Sequence, residues 1–106
     1  MFSPCILVID NDVKLLVNLA AALTRAGYRV LTVHDSRHAI SLAQAVLPEV
    51  IICDGAMPSR SDFDVKRTLA QDSQTASIPF ISLTRPLDKH EMVSRVNEMI
   101  RSHAVH

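Results

Sequence analysis

Three places in this 106-residue sequence set polar, chemically capable side chains directly after apolar runs. Cys5-Ile6-Leu7-Val8-Ile9 leads into Asp10-Asn11, Val50-Ile51-Ile52-Cys53 into Asp54-Gly55, and Phe80-Ile81-Ser82-Leu83 into Thr84-Arg85. Carboxylate and amide oxygens are ligands for hard cations, and a guanidinium is a capable phosphate ligand. Such groups act together only if the fold gathers them. In open parallel sheets, ligands bind at the carboxyl ends of the strands. If the three runs are strands of one sheet, their ends converge on one polar edge.

The elements that must do this gathering are legible as changes of period. A continuous apolar run suits a strand buried on both faces, as in a parallel sheet. Cys5–Ile9 and Val50–Cys53 read as such strands, and Arg29–Val33 and Pro79–Thr84 as a second and a fourth strand. Between them the spacing turns helical. Leu16, Leu19, Ala20 and Leu23 share one face of a first helix over 13–26, with Gly27 as its stop. Ser36 is placed to cap a second helix carrying Ala39, Ile40, Ala43 and Val46, which Pro48 ends. Ser61 and Asp64 have capping-box spacing for a third helix to about Ala70, and residues 71–77 form a polar loop. Asp88 and Glu91 open a last helix with Val93, Val96 and Ile100 on its apolar face. The chain is thus βα repeated four times, which builds a doubly wound parallel α/β sheet with right-handed crossovers.

Composition narrows the function classes. Eleven basic and eleven acidic side chains give a formal charge of zero, which argues against an independent nucleic-acid binder. With 48% apolar residues spread along the chain, one domain over 1–106 can bury a core. The apolar runs are too short to span a bilayer. Asp10 and Asp12 interrupt a signal peptide, so the expected location is the cytoplasm. Two cysteines at opposite ends of neighbouring strands provide neither a disulfide nor a four-ligand zinc site. The five histidines are scattered.

The residues resemble the receiver domain of response regulators in two-component signalling. Ile6–Asp12 is similar to that family's first strand and the acids after it, and Val50–Pro58 to its phosphoacceptor segment, an Asp followed by Met57-Pro58. Ile78–Thr84 is similar to its fourth strand, and Asp54 and Thr84 are 30 positions apart, as in the family. Gly27-Tyr28-Arg29-Val30 fits its connection into the second strand. The resemblance implies a flavodoxin-like receiver fold with strand order 2-1-3-4, four helices and a truncated end. It implies Asp54 as the phosphoryl-accepting nucleophile and Mg2+ held by Asp10, position 11, Asp54 and the Ala56 carbonyl. Thr84 would bind the phosphoryl oxygens. The implied partners are a histidine kinase or phosphotransfer protein and a downstream protein target.

Four departures qualify these implications. Asn11 stands where the family has a second acid, which lowers the expected magnesium affinity; Asp12 is the one nearby acid that could replace it. Arg85-Pro86 follows Thr84 immediately, whereas the family has Lys-Pro after a fifth strand. Consecutive strand residues face opposite ways, so Thr84 and Arg85 share a site only if the chain bends, for which Pro86 is placed. The family's fourth helix and fifth strand, with their aromatic switch residue, have no counterpart. Asp62 replaces a loop Gly.

The expected function is a stand-alone receiver, not itself an enzyme, that accepts phosphate on Asp54 and signals through protein contacts. The alternative is a phosphorylation-independent pseudo-receiver used for binding or dimerisation. Each group also has a plain reading: Asp10 and Asp54 as turn acids, Thr84 as a β-branched strand residue, Arg85 as a solvated side chain. A third reading takes Asp10-Asn11-Asp12 as the Asp-x-Asp of aspartyl-phosphate phosphatases, but Lys14 departs from that pattern and nothing supplies a cap over a substrate. Without a fifth strand, the apolar Phe80–Leu83 becomes a sheet edge that the last helix, a partner or a second copy (a homodimer) would cover.

Overall fold

The computed structural model describes residues 3–54, 62–83 and 87–104; the side chains of residues 54, 62–64, 103 and 104 are outside the description. The order is β1 (Cys5–Ile9), α1 (Val13–Arg25), β2 (Arg29–Val33), α2 (Ser36–Val46), β3 (Val50–Asp54), α3 (Asp62–Ala70), β4 (Phe80–Leu83) and α4 (Lys89–Ala104). The strands form one parallel sheet in the order β2-β1-β3-β4, as the alternating periods predict. No described strand follows β4.

The two central strands explain their own composition. Every residue of β1 is buried, because β2 and β3 flank it and helices cover both faces. Ile6 and Val8 point into one core with Leu16, Leu19 and Leu23 of α1 and Met92 and Val96 of α4. Leu7 and Ile9 point into the other, with Ala39 and Ala43 of α2 and Val65 and Leu69 of α3. Each face therefore carries two helices. At the foot of the sheet Glu49 closes the β1–β3 junction: the Cys5 N–H donates to its carboxylate at 2.6 Å, and its own N–H donates to the Cys5 carbonyl at 2.8 Å. Cys5 and Cys53 are buried and unbridged.

Helix starts depend on aspartates. Asp12 caps α1, and the Asp88 carboxylate accepts from the Glu91 N–H at 3.1 Å at the start of α4. The expected cap of α2 is corrected. Asp35, extended at φ −137°, accepts from the Arg37 N–H, while Ser36 is the first helical residue, buried, with no partner for its hydroxyl among the described residues. The Ser61 half of the α3 capping box lies outside the described residues. Asp62 is the first residue of that helix rather than part of the loop before it. Gly27 takes φ 101° after α1, and Leu47 takes φ 53° after α2, where a residue with a side chain is strained by about 1 kcal/mol.

The loop after α3 is less solvated than its composition suggests. Thr75 is buried and its hydroxyl donates to the Leu69 carbonyl at 2.6 Å, tying the turn to the helix end. β4 begins one residue later than the sequence pattern predicts, with the Pro79 carbonyl still accepting from the Ile51 N–H, and Thr84 at its expected far end lies outside the described residues. Its half-buried Phe80 has the Lys66 ammonium 5.7 Å from the ring centroid. The last helix packs beside α1 on one face, over Ile81 and Leu83, so it covers the face of β4 and not its edge. The Tyr28 hydroxyl donates to Asn97 Oδ1, joining the entry of β2 to α4.

Burial raises the Tyr28 phenol above its ordinary value of about 10, with Arg101 opposing the shift. Below that value the phenol is protonated in both states and adds no pH dependence. Above it the unfolded chain ionises first, so stability falls as pH rises. Tyr28→Phe is expected to cost about 0.5–1.5 kcal/mol at neutral pH. The same variant is expected to flatten the alkaline decline, both effects being read from urea unfolding at pH 7 and above pH 10.

Candidate functional site

The site starts at the end of β1. Asp10 is fully buried, and its N–H donates to the Val33 carbonyl at 3.0 Å, extending the β1–β2 ladder by one residue. The chain then turns within two residues into α1. The Asp12 N–H donates to Asp10 Oδ1 at 2.9 Å, and Asp12 Oδ1 accepts from the Leu15 N–H at 3.2 Å. One acid thus ends the strand and the next begins the helix. The expectation that Asp12 could stand in for the missing ligand therefore meets a competing role, because one of its oxygens caps α1. Asn11 lies between them, exposed.

The register supplies the second acid. Ile9 pairs with Cys53, so Asp10 and Asp54 follow at the same level of adjacent strands, about 4.8 Å apart in the sheet. On the far side Asp54 pairs with Leu83, which brings the end of β4 to the same edge. The convergence of strand ends inferred from the sequence is present in the backbone. The side chain of Asp54, and Ala56, Thr84 and Arg85, lie outside the described residues. Among the described residues, no group of three His, Cys, Asp or Glu side chains is arranged around a metal position.

The electrostatic requirement of the site is plain. A carboxylate out of water costs several kcal/mol unless donors or a cation compensate it. Asp10 has the Asp12 N–H, and the positive end of α1 begins three residues on. Its chemistry is that of a hard oxygen donor.

Sequence reasoning missed the surroundings of α1. Val13 and Val17, one turn apart, are 60% and 62% exposed, an apolar strip next to the acid. Beside it a cavity of about 290 Å3 is lined by Asp12, Lys14, Leu15, Asn18, Leu87 and Lys89. Lys14 was legible only as a departure from a phosphatase pattern. Lys89 reaches this place because α4 returns to α1, which no local signal encodes.

The family model of the response regulator receiver domain matches residues 6–104. The chain belongs to the response-regulator receiver family. This receiver is 32% identical to Protein PilH of Pseudomonas aeruginosa over 79 residues, covering 74% of this chain and 65% of that protein. It is 37% identical to Response regulator PleD of Caulobacter vibrioides over 79 residues, 74% of this chain and 17% of that protein. The chain therefore spans less than two thirds of the length of these relatives. Its fold is similar to that of chemotaxis response regulator CheY4 of Vibrio cholerae, with a TM-score of 0.86 at 21% identity over 92% of this chain and 99% of that one. A signal receiver domain of a histidine kinase from Syntrophus aciditrophicus gives a TM-score of 0.88 at 21% identity, over 94% of this chain and 92% of that one. The receiver is a domain of two-component signalling, and no described helix is long and apolar enough to cross a membrane.

The capping role of Asp12 has a direct consequence for stability. Asp12→Ala is expected to lower unfolding free energy by about 1 kcal/mol, whereas Asp12→Ser retains most of it. Equal losses in the two variants, measured by chemical denaturation, would contradict the cap.

Proposed function

We propose that this receiver accepts a phosphoryl group on Asp54 from a phosphohistidine of a histidine kinase or phosphotransfer protein, in the cytoplasm, and passes the signal on through protein contacts. The observation that carries the reading is the pairing register, which sets the fully buried Asp10 level with Asp54 at the polar edge of an otherwise apolar sheet. In the reaction an Asp54 oxygen would bond to phosphorus as the phosphorus–nitrogen bond to the donor imidazole breaks, leaving an acyl phosphate and a neutral histidine once protons equilibrate. The exposed Val13 and Val17 offer an apolar surface beside that edge for a protein donor.

The donor set fits Mg2+. Asp10, Asn11, Asp54 and the Ala56 carbonyl are hard oxygen ligands, and a cation would compensate the buried carboxylate. Bound there, Mg2+ would offset charge on the carboxylate and phosphoryl oxygens. Thr84 and Arg85 are the candidates for holding the phosphoryl group. The chain's own contribution is to hold Asp10 in place through the Asp12 N–H.

The competing reading is a phosphorylation-independent pseudo-receiver. It is favoured by a specific combination: position 11 is a neutral amide, and Asp12 is engaged at the helix cap.

Intact-mass spectrometry after incubation with acetyl phosphate and magnesium separates the two. A single phosphoryl adduct on the wild type, absent from Asp54→Asn, is the expected result. No adduct with either acetyl phosphate or a phosphorylated histidine donor would favour the pseudo-receiver. Restoring the second acid should also strengthen the ion: Asn11→Asp is expected to tighten Mg2+ binding about tenfold, worth ~1.4 kcal/mol. The readout is the midpoint of the rise in melting temperature against Mg2+ concentration, which needs no phosphorylation.

A further inference from the structure

The seam between α1 and α4 carries a feature that phosphoryl transfer does not use. Below the 290 Å3 cavity lies a second of about 430 Å3, lined by Ala22, Arg25, Ala26, Lys89, His90, Val93 and Ser94. Lys89 lines both, so the two form one groove along the seam. Its floor is aliphatic and half-buried: Leu15, Ala22, Leu87 and Val93. Its rims are basic. Lys14, Arg25 and Lys89 are exposed, and none of them is ion-paired among the described residues. Asp12 is the one acid among the described lining residues, and its carboxylate caps α1. In a chain of zero net charge, three unpaired cations on one aliphatic groove are a local excess.

We propose that this groove docks an acidic, partly apolar segment of a partner protein. Charge complementarity selects a carboxylate-bearing occupant, and the aliphatic floor takes its apolar side chains. A nucleic-acid strand fits less well, because His90 is the one ring among the described lining residues and the floor is otherwise aliphatic, which leaves successive bases little to stack on. Lys14 and Arg25 are about 16 Å apart along the helix axis. An occupant meeting both needs about eleven helical residues or about five extended ones. The strip formed by Val13 and Val17 lies on another side of α1, so both surfaces can be occupied together. The proposal does not rest on phosphorylation, and its failure leaves the phosphoacceptor reading untouched.

The probe is a fluorescein-labelled peptide of alternating Glu and Leu, titrated with the full chain and followed by anisotropy and by amide chemical shifts. Saturable binding is expected, with the largest shifts at Ala22, Val93 and Ser94. The double variant Arg25→Glu/Lys89→Glu, changed only at exposed positions, is expected to weaken binding at least tenfold while keeping the wild-type melting temperature. Replacing Glu by Lys in the peptide should abolish binding. The proposal is overturned by absence of binding at millimolar peptide, by shifts outside the seam, or by unchanged affinity in the double variant. Equal affinity for a Glu-Ser peptide or for a single-stranded oligonucleotide would overturn it as well, since either leaves only generic charge attraction.

Discussion

An acid at the end of a strand buried on both faces must be solvated by the protein. Asp10 is in that position, and much of the structure near it follows from the need. The Asp12 N–H reaches back to its carboxylate, which requires a tight turn directly after β1. That turn starts α1 three residues beyond Asp10, so the positive end of the helix lies close to both acids. Strand end, turn and helix cap are thereby packed into Asp10-Asn11-Asp12. The entry angle of α1 seats Leu16, Leu19 and Leu23 on the sheet, and those leucines complete the core that α4 shares.

The shortened end of the domain is closed by that same core. The next described element after β4 is α4, which lies against α1 and whose Met92 and Val96 share a core with Ile81 and Leu83. The opposite face is closed by small residues of α2 and by Val65 and Leu69 of α3. What remains at the margin is a four-residue edge strand preceded by Pro79. Short edges flanked by proline offer little template for further pairing. Lys66 over the Phe80 ring shields part of what apolar surface is left there. The four described strands thus form a sheet with both faces covered.

The chemistry of the edge is set by charge as much as by position. One neutral amide between two acids changes how strongly a cation can be held, and a helix cap competes for the acid that could have compensated. The basic groove lies on the other side of this turn, sharing Asp12 in its lining. Surface charge in this protein is therefore segregated around α1: acid at the strand end, cations along the seam with α4, and aliphatic side chains at Val13 and Val17.

The amino-acid sequence by itself determined the order of elements, the parallel sheet and the level of the strand-end acids. These are encoded locally, by continuous apolar runs for strands buried on both faces and by three- and four-residue spacing for helices. Continuous apolar runs leave register open to a slip, and the acid that ends each run is what limits it, since a shift would carry a carboxylate into the apolar sheet. The tertiary structure alone decided the rest. Asp35 and not Ser36 caps α2 because Ser36 is turned into the interior. Thr75 is buried in a polar loop because the Leu69 carbonyl needs a donor there. Leu47 takes a left-handed conformation as the C-cap of α2, its N–H donating to the Ala43 carbonyl. Above all, α4 packs beside α1, which brings Lys89 next to Lys14 from 75 positions away. Contacts of that range depend on how two faces fit, and no period or cap within either segment records it.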